Sequence, residues 1–241
     1  MKERKWLFPT IVIGIIVVSV AAMICFVHYA QNKEKDVQWS MNESVIPNLS
    51  VSVDDTELGG KAVVFSTTDK PEHNVDMFVD PRCPACSQLE LNAVNDITGG
   101  LVSGKIKLNI HFVTFLDEMT QSNYSKDATG AMVVLAQKGE ADAAWKFYQS
   151  LWANQPSEQA PPSKVPDSKN LSHFVEQIGG SQDVVSEIYN SRGFMEAQSM
   201  DESNRKVQEE KAGGVGTPML FIDGEMQKNP MRIDSWRDKI Q

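Results

Sequence analysis

The stretch FVDPRCPACSQLE, residues 78–90, contains two of the chain's three cysteines, separated by two residues. Such a pair can be half of a metal site, a structural disulfide or a reactive redox pair. A structural zinc site needs four ligands, yet the sequence has no second cysteine pair, and its four histidines show no ligand-like spacing. A disulfide that closes so short a loop removes little entropy from the unfolded chain. The spacing therefore favours a redox pair over the two structural alternatives.

The sequence around the cysteines predicts a strand, then the pair, then a helix. Residues 74–80, NVDMFVD, are apolar and strand-like, and Leu89, Ala93 and Ile97 recur at helical spacing after the pair. The cysteines therefore lie where a strand ends and a helix begins.

This position makes the first cysteine a candidate for reactivity. If Cys83 is the N-cap and Pro84 the first helical residue, the free N–H groups of the first turn and the helix dipole face the Cys83 sulfur. They stabilise a thiolate, which is the attacking species in thiol chemistry. We therefore predict that Cys83 is an exposed nucleophile and that Cys86, a turn further in, is a shielded resolving thiol. Pro84 and Ala85 complete the active-site motif.

Strands are predicted on both sides of a long helical block. Residues 49–55 and 62–67 favour a hairpin, residues 105–115 alternate apolar and polar side chains, and residues 218–225 form a late strand. Because the late strand must pair with the early ones to satisfy its backbone, the sequence predicts one α/β domain with a helical insertion. We place the α/β part at residues 49–117 and 206–241, and the insertion at residues 118–205.

The N-terminal residues predict a membrane anchor. Residues 6–30 contain no Asp, Glu, Lys or Arg and exceed the roughly 20 residues that cross a bilayer. Three basic residues precede this segment, so the positive-inside rule predicts a cytoplasmic tail at residues 1–5 and a domain outside the cell membrane. Residues 31–48 are polar and aperiodic, as in a linker. A cleaved signal peptide is the alternative, since residues 20–22 resemble a cleavage site.

The strand, cysteine pair and helix resemble the thioredoxin superfamily. Residues 213–221, GGVGTPMLF, look like the segment in which that family places a cis proline against the active-site cysteines. By this resemblance, Thr217 and Pro218 form the cis-Pro loop that binds substrate. The helical block and the anchor make the chain similar to DsbA-like thiol-disulfide oxidoreductases of the bacterial cell envelope, notably membrane-tethered Gram-positive forms.

The resemblance implies a fold, an activity and partners. The fold is a thioredoxin fold with an inserted helical domain. The activity is dithiol-disulfide exchange through a mixed disulfide at Cys83, with the Cys83–Cys86 disulfide as the redox group and no separate cofactor. The implied partners are unfolded or reduced exported proteins and a membrane enzyme that reoxidises the cysteines. We also expect a monomer held to the lipid bilayer through residues 6–30.

One position departs from the family pattern. Many thioredoxin-like proteins carry a buried carboxylate six residues before the first cysteine, where it moves the proton of the resolving thiol, and here that position is Met77. Asp76 and Asp80 flank it with the opposite strand parity, so we expect both to point to the other face. Water or another carboxylate must then take that role.

The direction of the reaction depends on the acidity of Cys83. A pKa near 4.5 would favour the reduced form by roughly 3.4 kcal/mol at pH 7 and make the disulfide about 75 mV more oxidising. We therefore favour an oxidase that donates disulfides. A reductase or isomerase is the alternative within the same chemistry. A tethered chaperone or assembly factor with a vestigial cysteine pair is the alternative from another class.

Other features indicate no second function. The formal net charge of −9 argues against nucleic acid binding, because neutralising phosphates needs a surplus of Lys and Arg. An aromatic-rich stripe could receive an extended substrate, but its helical spacing is more typical of a core; it comprises Trp145, Phe147, Tyr148, Leu151 and Trp152. We assign no catalytic role to His111 or to Asp117-Glu118.

Overall fold

The computed structural model describes residues 39–40, 44–157 and 159–240. The chain divides into a unit of residues 1–36 and a unit of residues 37–241, and all described residues belong to the second. The predicted tail, anchor and first part of the linker lie outside the described residues. Within the described part, no helix is both long enough and apolar enough to cross a membrane.

The described strands form one six-stranded sheet in the order β1-β2-β4-β3-β5-β6. They are β1 (Ser50–Asp55), β2 (Lys61–Ser66), β3 (His73–Val79), β4 (Ile106–Phe112), β5 (Met219–Ile222) and β6 (Glu225–Met226). β3 and β4 are parallel, whereas the other neighbouring pairs are antiparallel. The late strand β5 pairs with β3, which confirms the prediction that strands on both sides of the helical block share one sheet.

Residues with positive φ close the two tight hairpins at the edges of this sheet. Gly59 and Gly60, with φ of 102° and 74°, lie in the turn between β1 and β2. Asp223 and Gly224, with φ of 51° and 79°, join β5 to β6. Glycine adopts this left-handed backbone without steric cost, and Asp-Gly suits the two-residue hairpin turn.

Seven α-helices complete the described chain. They are α1 (Pro84–Val102), α2 (Leu116–Thr120), α3 (Tyr124–Gln137), α4 (Ala141–Ala153), α5 (Ser168–Gln177), α6 (Gln182–Tyr189) and α7 (Phe194–Ala212). α1 follows β3 directly, while α2 to α7 lie between β4 and β5. Helix α7 runs without interruption across the predicted domain boundary between residues 205 and 206.

The aromatic-rich stripe of α4 belongs to the hydrophobic core. Its five members, from Trp145 to Trp152, are all at most 3% exposed. Phe65 of β2 places its ring 5.3 Å from that of Trp145 and 5.9 Å from that of Tyr148. The stripe therefore packs the helical block onto the sheet, as its spacing indicated.

The described residues of the predicted linker, 39–40 and 44–48, include several that contact the rest of the domain, which corrects the expectation of a tether up to residue 48. Trp39 stacks on Phe147 at 6.2 Å and lies 4.6 Å from the ring of Phe174. Ile46 is 2% exposed, and the backbone N–H of Ser40 donates to Asn154 Oδ1 at 2.7 Å. The described linker residues therefore contact the domain through the apolar side chains of Trp39 and Ile46 and through a hydrogen bond at Ser40.

The C-terminal residues form two 3-10 turns, Ile233–Ser235 and Arg237–Lys239. Trp236 and Ile240 are 1% and 0% exposed. The C-terminal segment therefore buries two apolar side chains against the core.

Candidate active site

Cys83 begins α1 as the sequence predicted. It is the N-cap residue with φ −78° and ψ 116°, and Pro84 occupies the first turn. The Cys83 N–H donates to the Asp80 carbonyl at 2.9 Å, and the Ser87 N–H donates to the Cys83 carbonyl at 3.2 Å. The strand therefore passes into the helix through a single turn, with the Cys83 side chain at the helix N-terminus.

Cys83 is buried, whereas the sequence predicted an exposed nucleophile. Cys83 is 6% exposed and Cys86 is 0% exposed, so the order is as predicted but both thiols are buried. Pro84 is exposed and Ala85 half-buried. Thr217, which is 134 positions away in sequence, contributes to this burial by placing its carbonyl oxygen 3.6 Å from the Cys83 sulfur.

Thr217 belongs to the loop that precedes β5. The Thr217–Pro218 peptide bond is cis, as the family resemblance implied, and both residues are half-buried. The pairing of β5 with β3 brings this loop beside the N-terminus of α1. Gln208 of α7 holds the loop through a hydrogen bond of 2.6 Å from its side-chain amide to the Gly216 carbonyl.

The surroundings of Cys83 make it acidic. Its pKa falls from an ordinary 9.0 to about 6, chiefly because the Cys86 thiol donates a hydrogen bond to its sulfur. Burial opposes this effect, and the Thr217 side chain and the backbone N–H groups of Cys86 and Ala85 add to it. The N–H groups are those that the helix start was predicted to supply.

Cys86 has the opposite acidity. Burial first, then its hydrogen bond to Cys83 and the charge of Cys83, raise the pKa of the Cys86 thiol well above its ordinary value. At neutral pH the pair therefore consists of one thiolate and one thiol. This asymmetry suits attack or departure by Cys83 as a thiolate, whereas Cys86 must exchange a proton whenever it reacts.

The Asp76 carboxylate lies on the opposite face of β3 from Met77, as strand parity indicated. Met77 is fully buried in the core cluster that contains both cysteines. Asp76 accepts hydrogen bonds from Asn109 Nδ2 and pairs with His111 Nε2, each at 2.9 Å. The phenyl ring of Phe78 stacks on His111. His111 is thus part of a buried polar cluster on the sheet.

Asp80 lies at the end of β3 with both oxygens occupied. It accepts from Ser125 Oγ at 2.6 Å and from the N–H groups of Arg82 and Leu116 at 2.9 and 3.0 Å. Burial raises the pKa of Asp80 to about 7. These partners tie the strand end to α2 and α3.

Gln155 and Ser157, which follow α4, bind the turn between β3 and α1. The sequence analysis did not predict either residue. Gln155 Nε2 donates to the carbonyls of Pro81 and Cys83, each at 2.9 Å. The buried Arg82 guanidinium donates to Ser122 Oγ at 3.1 Å and to the Ser157 carbonyl at 3.2 Å. No local motif marks these residues, because their partners lie about 75 positions away.

A buried acid behind Cys86 was also missed. Glu90 lies one helical turn after Cys86 and is 4% exposed. The Tyr148 hydroxyl donates to Glu90 Oε1 at 2.6 Å. Burial raises the pKa of Glu90 to about 8, against a lowering by the Tyr148 hydrogen bond. The signal in the sequence was a glutamate at position i+4 from a buried cysteine, next to the apolar Leu89.

Comparisons with known proteins agree with this geometry. A family model described as Thioredoxin matches residues 68–241. The MdbA protein of Corynebacterium matruchotii, a thiol-disulfide oxidoreductase, is 26% identical with a TM-score of 0.71, over 83% of this chain and 94% of that chain. The MdbA protein of Corynebacterium diphtheriae is 23% identical with a TM-score of 0.70, over 87% of this chain and 100% of that chain.

A curated relative is a longer protein of another description. The serine/threonine-protein kinase PknE of Mycobacterium tuberculosis is 26% identical over 182 residues, which is 73% of this chain and 31% of the kinase. The chain therefore spans about a third of the length of the curated relatives it matches.

Proposed function

This chain belongs to the thioredoxin family, and from that premise we propose that it is a DsbA-type thiol-disulfide oxidoreductase that introduces disulfides into exported proteins. The family model covers the cysteine pair and the Thr217–Pro218 loop. The proposal is carried by one observation, the acidic Cys83 paired with a non-acidic Cys86 under the Thr217 loop. Similar MdbA proteins, which are thiol-disulfide oxidoreductases, support it.

The proposed reaction has two exchange steps. A substrate thiolate attacks Cys83 Sγ of the Cys83–Cys86 disulfide, the bond between the cysteines breaks, and Cys86 leaves with the electron pair and takes up a proton. A second substrate thiolate then attacks the substrate sulfur of the mixed disulfide, and Cys83 leaves as a thiolate. The substrate loses two electrons and two protons, and the cysteine pair is reduced.

The acidity of Cys83 favours the oxidase direction, by less than the sequence suggested. With a pKa of about 6, about one unit lies below pH 7, which favours the reduced form by roughly 1.4 kcal/mol and makes the disulfide about 30 mV more oxidising. A reductase or isomerase remains the alternative within this chemistry. A reduction potential near thioredoxin's, about −270 mV, would favour a reductase over an oxidase.

Trapping of the mixed disulfide tests the proposed function. Cys86→Ala removes the thiol that can release Cys83 from a mixed disulfide by re-forming the Cys83–Cys86 bond. Covalent complexes that Cys83 forms by attacking disulfides of exported proteins should therefore accumulate in this variant and dissolve on adding reductant. Cys83→Ala should form none and should lose dithiol oxidation. The reverse pattern would exchange the two roles. If neither change affects oxidation of a dithiol substrate, the enzyme proposal fails in favour of a tethered assembly factor.

The cellular setting is part of the proposal. We place the domain outside the cell membrane, anchored by residues 6–30 and reoxidised by a membrane enzyme, because of the apolar segment and the basic residues before it. Protease added to intact cells should then remove the domain. A domain that stays intact while a surface protein in the same sample is digested would contradict this placement.

A further inference from the structure

The proposed reaction leaves the proton of Cys86 without a described source. Cys86 is fully buried, and its thiolate is a poor leaving group unless it gains a proton as the disulfide opens. The position at which many thioredoxin-like proteins carry a buried carboxylate, six residues before the first cysteine, is Met77 in this chain. Methionine carries no exchangeable proton. Asp76 and Asp80 are bound to other partners.

Helix α1 offers an acid on the Cys86 side. Glu90 follows Cys86 by four positions, so the two side chains lie on the same face of the helix one turn apart. Helix α4 packs on that face, because Ser87 Oγ donates to the Trp152 carbonyl at 2.8 Å and the Tyr148 hydroxyl donates to Glu90 at 2.6 Å. Tyr148 therefore lies over the turn that joins Cys86 to Glu90.

Tyr148 is within electrostatic reach of both groups. Burial first, then the charges of Glu90 and of Cys86, raise the pKa of the Tyr148 phenol. A phenol both donates and accepts hydrogen bonds, so it can pass a proton from one neighbour to the other. Asp96, further along α1, pairs instead with Arg237 at 3.1 Å.

We propose that Glu90 and Tyr148 form a proton relay for Cys86, in which Glu90 stores the proton and Tyr148 transfers it. This inference rests on the proposed function. When substrate attacks Cys83 and the disulfide opens, the Tyr148 hydroxyl turns from Glu90 Oε1, to which it donates in the resting site, toward Cys86. The Cys86 sulfur then receives the electron pair of the broken bond and the phenolic proton. Tyr148 takes its replacement from the Glu90 carboxyl, which becomes a carboxylate. On reoxidation the Cys86 proton returns along the same path.

A cavity connects the relay to solvent. It has a volume of about 460 Å³ and is lined by Glu90 and Tyr148 together with Leu91, Val94, Trp145 and Trp152. This volume holds several water molecules. Glu90 can therefore regain its proton from water between turnovers. With a pKa of about 8, it is protonated at neutral pH and able to act as the donor.

The rate of disulfide opening as a function of pH tests the relay. The oxidised protein is mixed with reduced glutathione, and the rate of mixed-disulfide formation is divided by the glutathione thiolate concentration. The wild-type value should be constant below about pH 8 and fall above it, as Glu90 loses its proton. Glu90→Gln and Tyr148→Phe should be roughly tenfold slower at pH 7 and lose this fall, somewhat less than the roughly hundredfold effect of a directly positioned acid.

A matched control separates the relay from a structural role. Asp96→Asn changes another buried acid of α1 and should keep the wild-type rate and pH profile. Glu90→Gln with an unchanged rate at pH 7, or with the fall above pH 8 retained, overturns the relay. If Glu90→Gln does not fold, the same two outcomes in Tyr148→Phe overturn the relay. A wild-type rate that does not fall above pH 8 overturns the relay but leaves the proposed function intact. A wild-type protein inert to glutathione overturns the proposed function as well.

Discussion

At the scale of the residue, the acidity of Cys83 is the balance of burial against several donors. Burial raises its pKa, while the Cys86 thiol, the Thr217 side chain and two backbone N–H groups lower it. The hydrogen-bond donors outweigh burial, so the pKa of Cys83 falls from 9.0 to about 6. This difference corresponds to roughly 4 kcal/mol in favour of the thiolate. The reactive sulfur is thus acidic although it is almost fully covered.

The contribution of Thr217 is testable by removing its hydroxyl. Thr217→Val keeps the shape of the side chain and the backbone carbonyl, so it should raise the pKa of Cys83 by roughly 0.5–1 unit. The thiolate absorbance of the reduced protein, followed against pH, measures this value. Thr67→Val, which removes a hydroxyl bonded to the Leu101 carbonyl, should leave the midpoint at about 6. An unchanged midpoint in Thr217→Val would exclude the hydroxyl as a donor to Cys83.

At the scale of the element, the site depends on how closely helices approach. The chain around Gly193, at the start of α7, passes against Gly130 of α3, and a Cβ on Gly193 would lie 2.2 Å from the Gly130 carbonyl oxygen. Neither glycine has a left-handed backbone that requires it. Both positions require glycine because the neighbouring backbone leaves no space for a side chain. The contact fixes α7, whose other end leads to the loop that covers Cys83.

Alanine at two glycines should therefore act in opposite directions. Gly193→Ala forces a methyl group against backbone and should lower the free energy of unfolding by roughly 1–3 kcal/mol. Gly99→Ala lies inside α1 with open space around the added methyl, and should raise it by roughly 0.5–1 kcal/mol through helix propensity. Denaturant unfolding of both variants measures these changes. Gly193→Ala as stable as the wild type would refute the close packing of α3 and α7.

The element containing the cysteines was predictable from sequence because its signals are local. An apolar run ends at Asp80, and Cys83-Pro84 opens a helical pattern, so strand, N-cap and helix follow from about twenty residues. The Asp223-Gly224 turn was predictable for the same reason. The parity of Met77 against its neighbours also needed only the period of a strand.

The parts that were not predictable come from remote segments. Thr217 contributes to the burial of Cys83 from 134 positions away, and a helix pattern gives no sign of a loop that packs on it. Glu90 looks like an ordinary surface glutamate until α4 packs over it with Tyr148. The docking of Trp39 could not be read from a polar segment either, because its partners Phe147 and Phe174 lie in the helical block.

At the scale of the whole molecule, the two redox forms differ in how their stability depends on pH. In the reduced form the folded pKa of Cys83, about 6, lies below its ordinary 9.0. Between these values the unfolded chain binds more protons than the folded chain, so stability rises with pH. The contribution is complete above pH 9 and lost as pH falls through 6. The oxidised form has no thiol at Cys83 and lacks this contribution.

The difference between the two forms should therefore change with pH. From pH 6 to pH 8 the reduced form should gain roughly 2 kcal/mol of unfolding free energy relative to the oxidised form, because the slope rises from about half of 1.4 kcal/mol per pH unit at pH 6 to nearly the full value above pH 7. Asp80 and Glu90 titrate in both forms and cancel to first order. Denaturant unfolding of both forms at the two pH values measures the gain. A difference that stays constant would show that Cys83 is not acidic in the folded protein.

The position of Thr217 late in the chain gives the order of synthesis a chemical meaning. A growing chain that ends at residue 212 already contains both cysteines, but it lacks β5 and the Thr217 loop. Without β5 beside β3 and without the buried Trp236 and Ile240, we expect this chain to stay unfolded. Its Cys83 should then react with an alkylating reagent at neutral pH at the rate of an ordinary thiol, and equal rates in the arrested chain and the full 241-residue chain would contradict this. Cys83 then acquires its full reactivity only after residues 213–241 have been added, and the shorter chain carries an unreactive thiol while it is still unfolded.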